Sequence, residues 1–477
     1  MPDKMSGFYP VFYLFFCLRR ATKIQNVNFE LINKQFFQYV VPSVIAMTVQ
    51  AFYTVLNGII AGQGLGEVAL GAVNIALPFM MVIIALGMLI GIGGANVYSF
   101  YRGKGEIEEA NNIFCQCLAL SVIIGTMLAL SGFFFRKDLA LLLGANEEML
   151  PSVIAYLKWL APVSLLQMAV FVLIVFIRND DSPRLVMAAS VFGAAVNIIL
   201  DVILIFIMHF GIEVIALTNG ISMLLQGIFF IPHFAYKKGM LRIQKPVFHS
   251  RDIRRVLNNG FASFLMEFWQ SAIALSFNLA LVHVVGTLGV SAYSIVTYVC
   301  SLINMVLIGV TQGAQPLMSF YHGKGDEKIF SRVYRLGVRT NTVIPIILVA
   351  CCTAFGRGID FLFHSGNPEL TALTVHMLRL YPLGYLFVGA VLMNILFFQT
   401  TERNVHAALI SLLRCIGFVQ VFLLLFAYLF GTNGIYLAFF AGELCHFILS
   451  QILVQQTVKK LKSKPEETGA SQNAMHP

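Results

Sequence analysis

Two carboxylates stand in stretches that water would hardly reach. Asp201 ends the run Val196-Asn197-Ile198-Ile199-Leu200-Asp201, and Glu267 lies within Ser263-Phe264-Leu265-Met266-Glu267-Phe268-Trp269-Gln270. A charge among such neighbours is costly unless it faces a cavity, a partner or a water path, so both residues point to a proton or cation site inside a membrane. Asn197 precedes Asp201 by one helical turn and shares its face, pairing an amide with a carboxylate able to hold a proton or a small cation. The competing reading of Asp201 is a structural residue near a helix end, hydrogen-bonded to backbone. Gln50, Asn57 and Gln270 either line a polar path or glue helices together, two roles that their residue type leaves equally open. Glu443 and Arg414 are expected to form a buried structural pair, and the single histidines His283 and His446 to fill helix-end or core roles.

Spacing argues against most other chemistry. Eight cysteines, Cys17, Cys115, Cys117, Cys300, Cys351, Cys352, Cys415 and Cys445, fall in or near apolar runs and read as small core residues. Cys115-x-Cys117 has no second ligand pair, so no resident metal is expected. Gly91-x-Gly93-Gly94 has no strand before it and no acidic residue placed for a ribose, which leaves close helix packing as its account. Gly103-Lys104-Gly105 lacks the spacing that cradles phosphate. No catalytic cluster is visible, and without a nucleotide motif any transport must draw on a proton or sodium gradient rather than a bound cofactor.

The elements that hold these residues follow from composition. The chain of 477 residues is 58% hydrophobic and only 12% charged, against roughly 25% charged in a soluble domain, and its mean hydropathy is +0.80. Apolar runs long enough to cross about 30 Å of hydrocarbon recur throughout, and lipid leaves helices as the form such runs take. Twelve are expected, at 36–61, 69–98, 112–136, 152–178, 184–210, 212–236, 256–286, 290–320, 334–356, 371–399, 404–430 and 433–457. The polar segment 237–255 divides six from six.

The two halves are copies. Ser-Phe-Tyr-Arg-Gly-Lys-Gly-Glu at 99–106 returns as Ser-Phe-Tyr-His-Gly-Lys-Gly-Asp at 319–326, and the same shift of 220 pairs Ser43 with Ser263, Gln50 with Gln270, Gly93 with Gly313 and Phe210-Gly211 with Phe430-Gly431. A repeat makes one half the unit to be explained. Because six is even, both halves enter the membrane in the same sense, the parallel repeat found in secondary transporters. A duplicated scaffold with no transport role is the bland alternative. The Gly-Lys-Gly stretches then read as matching tight turns. Charges differ where the copies differ, since Met47 stands opposite Glu267 and Val421 opposite Asp201.

Basic residues set the orientation, because short loops rich in Lys and Arg stay cytoplasmic. Of the 32 Lys and Arg, 26 fall in the N-terminal segment, the even-numbered loops or the tail, so both termini are expected in the cytoplasm. The net charge of +9 follows from that topology, and nothing supports nucleic-acid binding. The expected division is an interfacial N-terminal segment 1–35, an N-lobe 36–236, a cytoplasmic linker 237–255, a C-lobe 256–457 and a tail 458–477. The apolar stretch 7–18 is followed, not preceded, by Arg19 and Arg20, which argues against a signal peptide.

The chain resembles the multidrug and toxic compound extrusion (MATE) family, in its bacterial MepA-like branch. The likeness rests on Tyr39-Val40-Val41-Pro42-Ser43, residues 99–106, Phe176-Ile177-Arg178-Asn179-Asp180 with Pro183, Asn197 to Asp201, Phe264-Leu265-Met266-Glu267, residues 319–326, Leu412-Leu413-Arg414 and Gly434-Ile435-Tyr436-Leu437-Ala438, in that order. It implies an all-α polytopic membrane protein whose V-shaped six-helix lobes surround a cavity opening alternately to each side. It also implies export of amphipathic, often cationic drugs across the plasma (inner) membrane in exchange for protons or sodium, by a chain that acts as a monomer among membrane lipid.

Site residues implied by the resemblance are carried over singly. An N-lobe site in relatives joins a helix 1 Asp, a helix 5 Asn and Asp, and a helix 6 hydroxyl. Asn197 and Asp201 match the helix 5 pair and Thr218 supplies a hydroxyl, but the helix 1 position is Asn57, which cannot titrate, so Asp201 carries that site's charge alone. A C-lobe sodium site in another branch uses a helix 7 Glu, matched by Glu267, and a helix 10 Asp, for which residues 381–398 offer no acid. Sodium is therefore placed at Asp201 or Glu267, with Gln50 and Gln270 beside the substrate cavity. A lipid or polysaccharide-precursor flippase is the alternative; acidic Asp201 and Glu267 favour cations over the basic cavity flippases tend to need. A membrane-embedded enzyme is the remote third.

Overall fold

The computed structural model describes residues 29–354 and 368–462, all of it helix and connecting turn. The apolar stretch 7–18, Cys17, Arg357 and the tail after Lys464 lie outside these residues. Ten spanning helices are α1 (Phe29–Gly66), α2 (Gly71–Lys104), α3 (Ile107–Phe134), α4 (Leu150–Asn179), α5 (Pro183–Ile207), α6 (Glu213–Ala235), α7 (Ser250–Val284), α8 (Thr287–Gly323), α9 (Glu327–Ala354) and α10 (Pro368–Thr400). An eleventh apolar stretch, Asn404–Lys460, runs to 57 residues, about 85 Å as one helix at 1.5 Å per residue and far more than a bilayer takes. It doubles back at Gly431, whose φ of 57° no straight helix contains. Close approaches of Gly434 to Phe426, of Gly442 to Val419 and of His446 to Leu413 show antiparallel arms, α11 (404–430) and α12 (432–462). The chain is thus a multi-pass membrane protein, with twelve spans among the described residues.

Boundaries moved where polar residues sit on helix ends. Helix α1 starts at Phe29 and α7 at Ser250, each several residues before its apolar run, because the intervening polar residues are compatible with helix outside hydrocarbon. Helix α10 narrows to a 3-10 turn over Tyr381–Gly384, at Pro382, which lacks the donor an α-helix needs.

The repeat is visible in the backbone. Gly66 between α1 and α2 has φ 81°, and its counterpart Gly286 between α7 and α8 also has φ 81°. Gly105 and Gly325 end α2 and α8 at φ 85° and 74°. In both copies the amide after the glycine reaches back five residues, Glu106 N to Tyr101 O at 3.0 Å and Asp326 N to Tyr321 O at 3.1 Å, the bond pattern of a Schellman cap. The duplicated motif therefore builds two equivalent turns, as its spacing predicts.

Cross-half contacts are reciprocal, as a twofold axis along the membrane normal demands. A Cβ on Gly103 would meet Phe320 O at 2.1 Å, and one on Gly323 would meet Phe100 O at 2.0 Å; Gly93 likewise abuts Gly260, while Gly313 abuts Val40. The first turns of α1 consequently pack in the second half: Ile32, Phe36, Tyr39 and Val40 share a core with Val310, Ala314, Met318, Phe330 and Phe397. Val256 of α7 returns the exchange by entering the core of the first half.

Candidate functional site

Three helices of the first half converge on Asp201. The side chain is 1% exposed, and Thr218 of α6 donates its hydroxyl to Asp201 Oδ1 at 2.5 Å. One turn back, Asn197 is equally buried and its Oδ1 accepts from Asn57 Nδ2 of α1 at 3.2 Å. Two polar atoms of this group have no partner, Asn57 Oδ1 and Asn197 Nδ2. An orphaned acceptor and an orphaned donor beside a carboxylate make a set that a water or a small cation would satisfy. Ile60, Ile205 and Val214 seal one end with apolar packing. Helix α5 then widens to a π turn over Ile203–Ile207, a distortion often found at functional sites.

The structure joins Asp201, Asn197, Asn57 and Thr218, four residues from three helices. It does not bring the other candidates to them. Glu267 is half-buried on α7 and has no hydrogen bond or ion pair among the described residues, while Gln50 and Gln270 are exposed on α1 and α7 with no contact to the Asp201 group. Tyr53 and Tyr156 stand within electrostatic range of Asp201. Tyr53 was legible as the residue one turn before Asn57, whereas nothing in the sequence marks Tyr156.

Arg414 and Glu443 pair as expected, Nη2 to Oε1 at 3.1 Å with both side chains fully buried, and the guanidinium lies 4.0 Å from the Trp269 ring centroid. His446 Nε2 donates to Leu413 O at 3.0 Å, a core role. Among the described residues no group of His, Cys, Asp and Glu could hold a metal. The cysteines are mostly buried, but Cys351 is exposed, since α9 turns that position away from the bundle.

One end of the molecule is sealed by a polar seam along the axis. Asn96 of α2 donates to Asn259 of α7 at 2.8 Å and accepts from Gln315 and Ser319 of α8 at 2.7 and 2.9 Å. Ser99 donates to Asn179 Oδ1 at 2.7 Å, and Asn179 Nδ2 reaches Gln315 Oε1 at 3.1 Å. Arg178, at the last turn of α4, is buried and donates to Gln312 across the seam at 2.6 Å. Cations cross too: Arg255 stacks on Phe100 at 4.7 Å, and Arg102 lies 5.6 Å from Phe320. Ser, Phe and Gly of both motif copies are thus seam residues. Farther along α1 and α7, Gln50 and Gln270 are exposed.

Sequence reasoning missed Asp180, in the turn between α4 and α5. Its carboxylate accepts from His233 Nε2 at 2.9 Å, Tyr98 Oη at 2.9 Å and the amides of Met240 and Leu241 at 2.9 and 3.1 Å. Burial pushes its proton affinity up, but these donors outweigh burial and hold the carboxyl below the ordinary range. The group pins the linker between the halves, which Asn111 and Asn112 of α3 also grip through Arg242 N and Val247 N.

Comparison with known proteins matches this architecture. A protein of Staphylococcus saprophyticus called Multidrug export protein MepA is 24% identical over 432 residues, covering 88% of this chain and 93% of its own. The protein of that name from Staphylococcus haemolyticus is 24% identical over 441 residues, covering 90% and 95%. A solved structure described as the outward-facing conformation of a multidrug resistance MATE family transporter of the MOP superfamily superposes with a TM-score of 0.86 at 21% identity, covering 93% of this chain and 100% of its own. The MatE family profile matches residues 42–203 and again 262–429, with starts 220 residues apart like the repeated motifs. Matched in both halves by one profile, the chain belongs to the MatE family.

Proposed function

We propose that this protein is a secondary active multidrug exporter of the plasma membrane. It moves amphipathic, often cationic compounds outward by alternating access, in exchange for protons or sodium entering through the Asp201 site. The observation that carries this reading is the buried Asp201, bonded to Thr218 and set beside orphaned polar atoms of Asn57 and Asn197. A lone carboxylate among amides and a hydroxyl can be neutralised by a proton or a cation and then released. Protonation would remove the acceptor charge that Thr218 faces, changing how α5 and α6 hold together; that is a bistable element of the kind a transporter needs. Names borne by relatives over nearly their whole length support drug export as the task. The sealed seam supports a state closed at the end of the repeated loops, which positive-inside reasoning makes the cytoplasmic one. The protein works as a monomer, each half supplying one wall.

Purified protein in liposomes, with imposed proton or sodium gradients and ethidium as a fluorescent cation, tests this. Gradient-driven movement is expected, abolished by Asp201→Asn and weakened by Glu267→Gln. Full activity in both variants would remove the site assignment, and flipping of labelled lipid without ethidium movement would favour the flippase.

A further inference from the structure

Two grooves of the described structure lie outside this machinery, at the seam end between α1 and α5. One, of about 470 Å³, is lined by Lys34, Phe37, Gln38, Val41, Ile45 and Arg184, with Pro42 and Met187 beneath. The other, of about 460 Å³, adjoins it through Gln38 and Arg184 and adds Gln35 and Ser182. On α1 the lining residues 34, 37, 38, 41 and 45 recur at helical spacing, so they form one stripe. Its order is telling: a cation, then apolar side chains running down the helix. From Lys34 to Ile45 the helix rises about 16 Å, close to half of an about 30 Å hydrocarbon core.

Asp181 lines the second groove, but the first groove's lining holds two cations and no carboxylate. Lys34 and Arg184 are exposed, and neither has an ion-pair partner among the described residues. The nearby carboxylate, Asp181, is engaged by Arg102 and Tyr39, which leaves the two cations of the groove free to meet an outside anion. Gln38 offers donors between them. A concave apolar stripe of one leaflet's depth, headed by two unpaired cations, is complementary to an amphiphile with an anionic head.

We propose that this groove binds one anionic phospholipid, its phosphate between Lys34 and Arg184 and one acyl chain along Phe37, Val41 and Ile45. The occupant would tie α1 to α5 on their lipid face, beside the bond from Tyr39 of α1 to Asp181 in the turn before α5.

Native mass spectrometry of the full chain, released from micelles holding phosphatidylglycerol and phosphatidylcholine of equal chain length, tests the assignment. Phosphatidylglycerol is expected to be retained preferentially, by about fivefold for each cation, so Lys34→Gln with Arg184→Gln should erase a preference of about 25-fold. Lys34→Arg with Arg184→Lys should keep it. Val41→Trp, which fills the stripe, should lower occupancy by both lipids. An unchanged preference in the neutral pair, loss of preference in the charge-conserving pair, or displacement of the lipid by millimolar inorganic phosphate would each overturn the proposal. None of these readouts depends on transport, so failure here and failure of the Asp201 assignment are separable.

Discussion

A single methyl group at the seam should change which state the protein occupies. In Gly103→Ala the new Cβ would lie 2.1 Å from Phe320 O and 2.9 Å from Lys324 N, both backbone atoms that cannot rotate away. An ordinary contact needs 3.4 Å, so α2 and α8 must separate by about 1.3 Å, enough to forfeit a large part of the dispersion between them. Overpacking of this kind costs about 1–3 kcal/mol, and because only the closed seam bears that cost, the equilibrium should shift toward the open seam by about 5- to 150-fold. Spin labels at Glu108→Cys and Lys328→Cys, exposed positions that are repeat equivalents, report the seam in a cysteine-free background. Gly103→Ala and Gly323→Ala should each add a longer distance component, and drug export should fall with it. Gly58→Ala, whose methyl would meet nothing within 4 Å, should not. Wild-type distance distributions in both seam variants would refute the backbone contact on which the closed state rests.

Breaking the buried ion pair should cost stability. Arg414→Met leaves Glu443 buried without its partner and should lower stability by about 3–5 kcal/mol, read as a lower unfolding temperature in detergent, whereas Arg414→Met with Glu443→Leu should recover most of the loss. Asp180 predicts an acid sensitivity with a definite sign. Its folded-state proton affinity is depressed, so its contribution is present above the unfolded carboxyl value of about 4 and is lost as pH falls through the lower folded value. Proteolysis within residues 237–249 should therefore rise only below about pH 4 in the wild type and already at neutral pH in Asp180→Asn; equal protection of both proteins would show that the linker is held otherwise. For the coupling site, Asp201→Asn should abolish gradient-driven ethidium movement while Thr218→Val, which removes one hydrogen bond, slows it by roughly tenfold for each 1.4 kcal/mol lost.

The candidate site was partly legible. Asp201 and Asn197 announced themselves because a carboxylate and an amide one turn apart in an apolar run are costly in hydrocarbon unless they face a cavity or a partner. Thr218 was named only through resemblance, Asn57 was read from its type only as a polar-path or helix-packing residue, and their meeting with Asp201 required α1, α5 and α6 to converge. Asp180 was overlooked because an aspartate in a turn looks solvated; its burial comes from a linker some 60 residues later folding over it. The burial of Arg178 at the end of α4 was not legible for the same reason, since a place beside a loop says nothing of whether a neighbouring helix covers the side chain.

The sequence by itself determined twelve spans, the break between halves and their common orientation. Each of these rests on local physics: a spanning segment must satisfy its own backbone in lipid, and a fixed shift of 220 is read by alignment of the chain with itself. Only the tertiary structure decided which helices meet. Close packing of small residues let α2 and α8 touch at Gly103 and Gly323, sent the start of α1 into the opposite half, and kept Glu267 apart from Asp201. Such contacts depend on the shapes of surfaces distant in the chain, and no periodicity or composition encodes them.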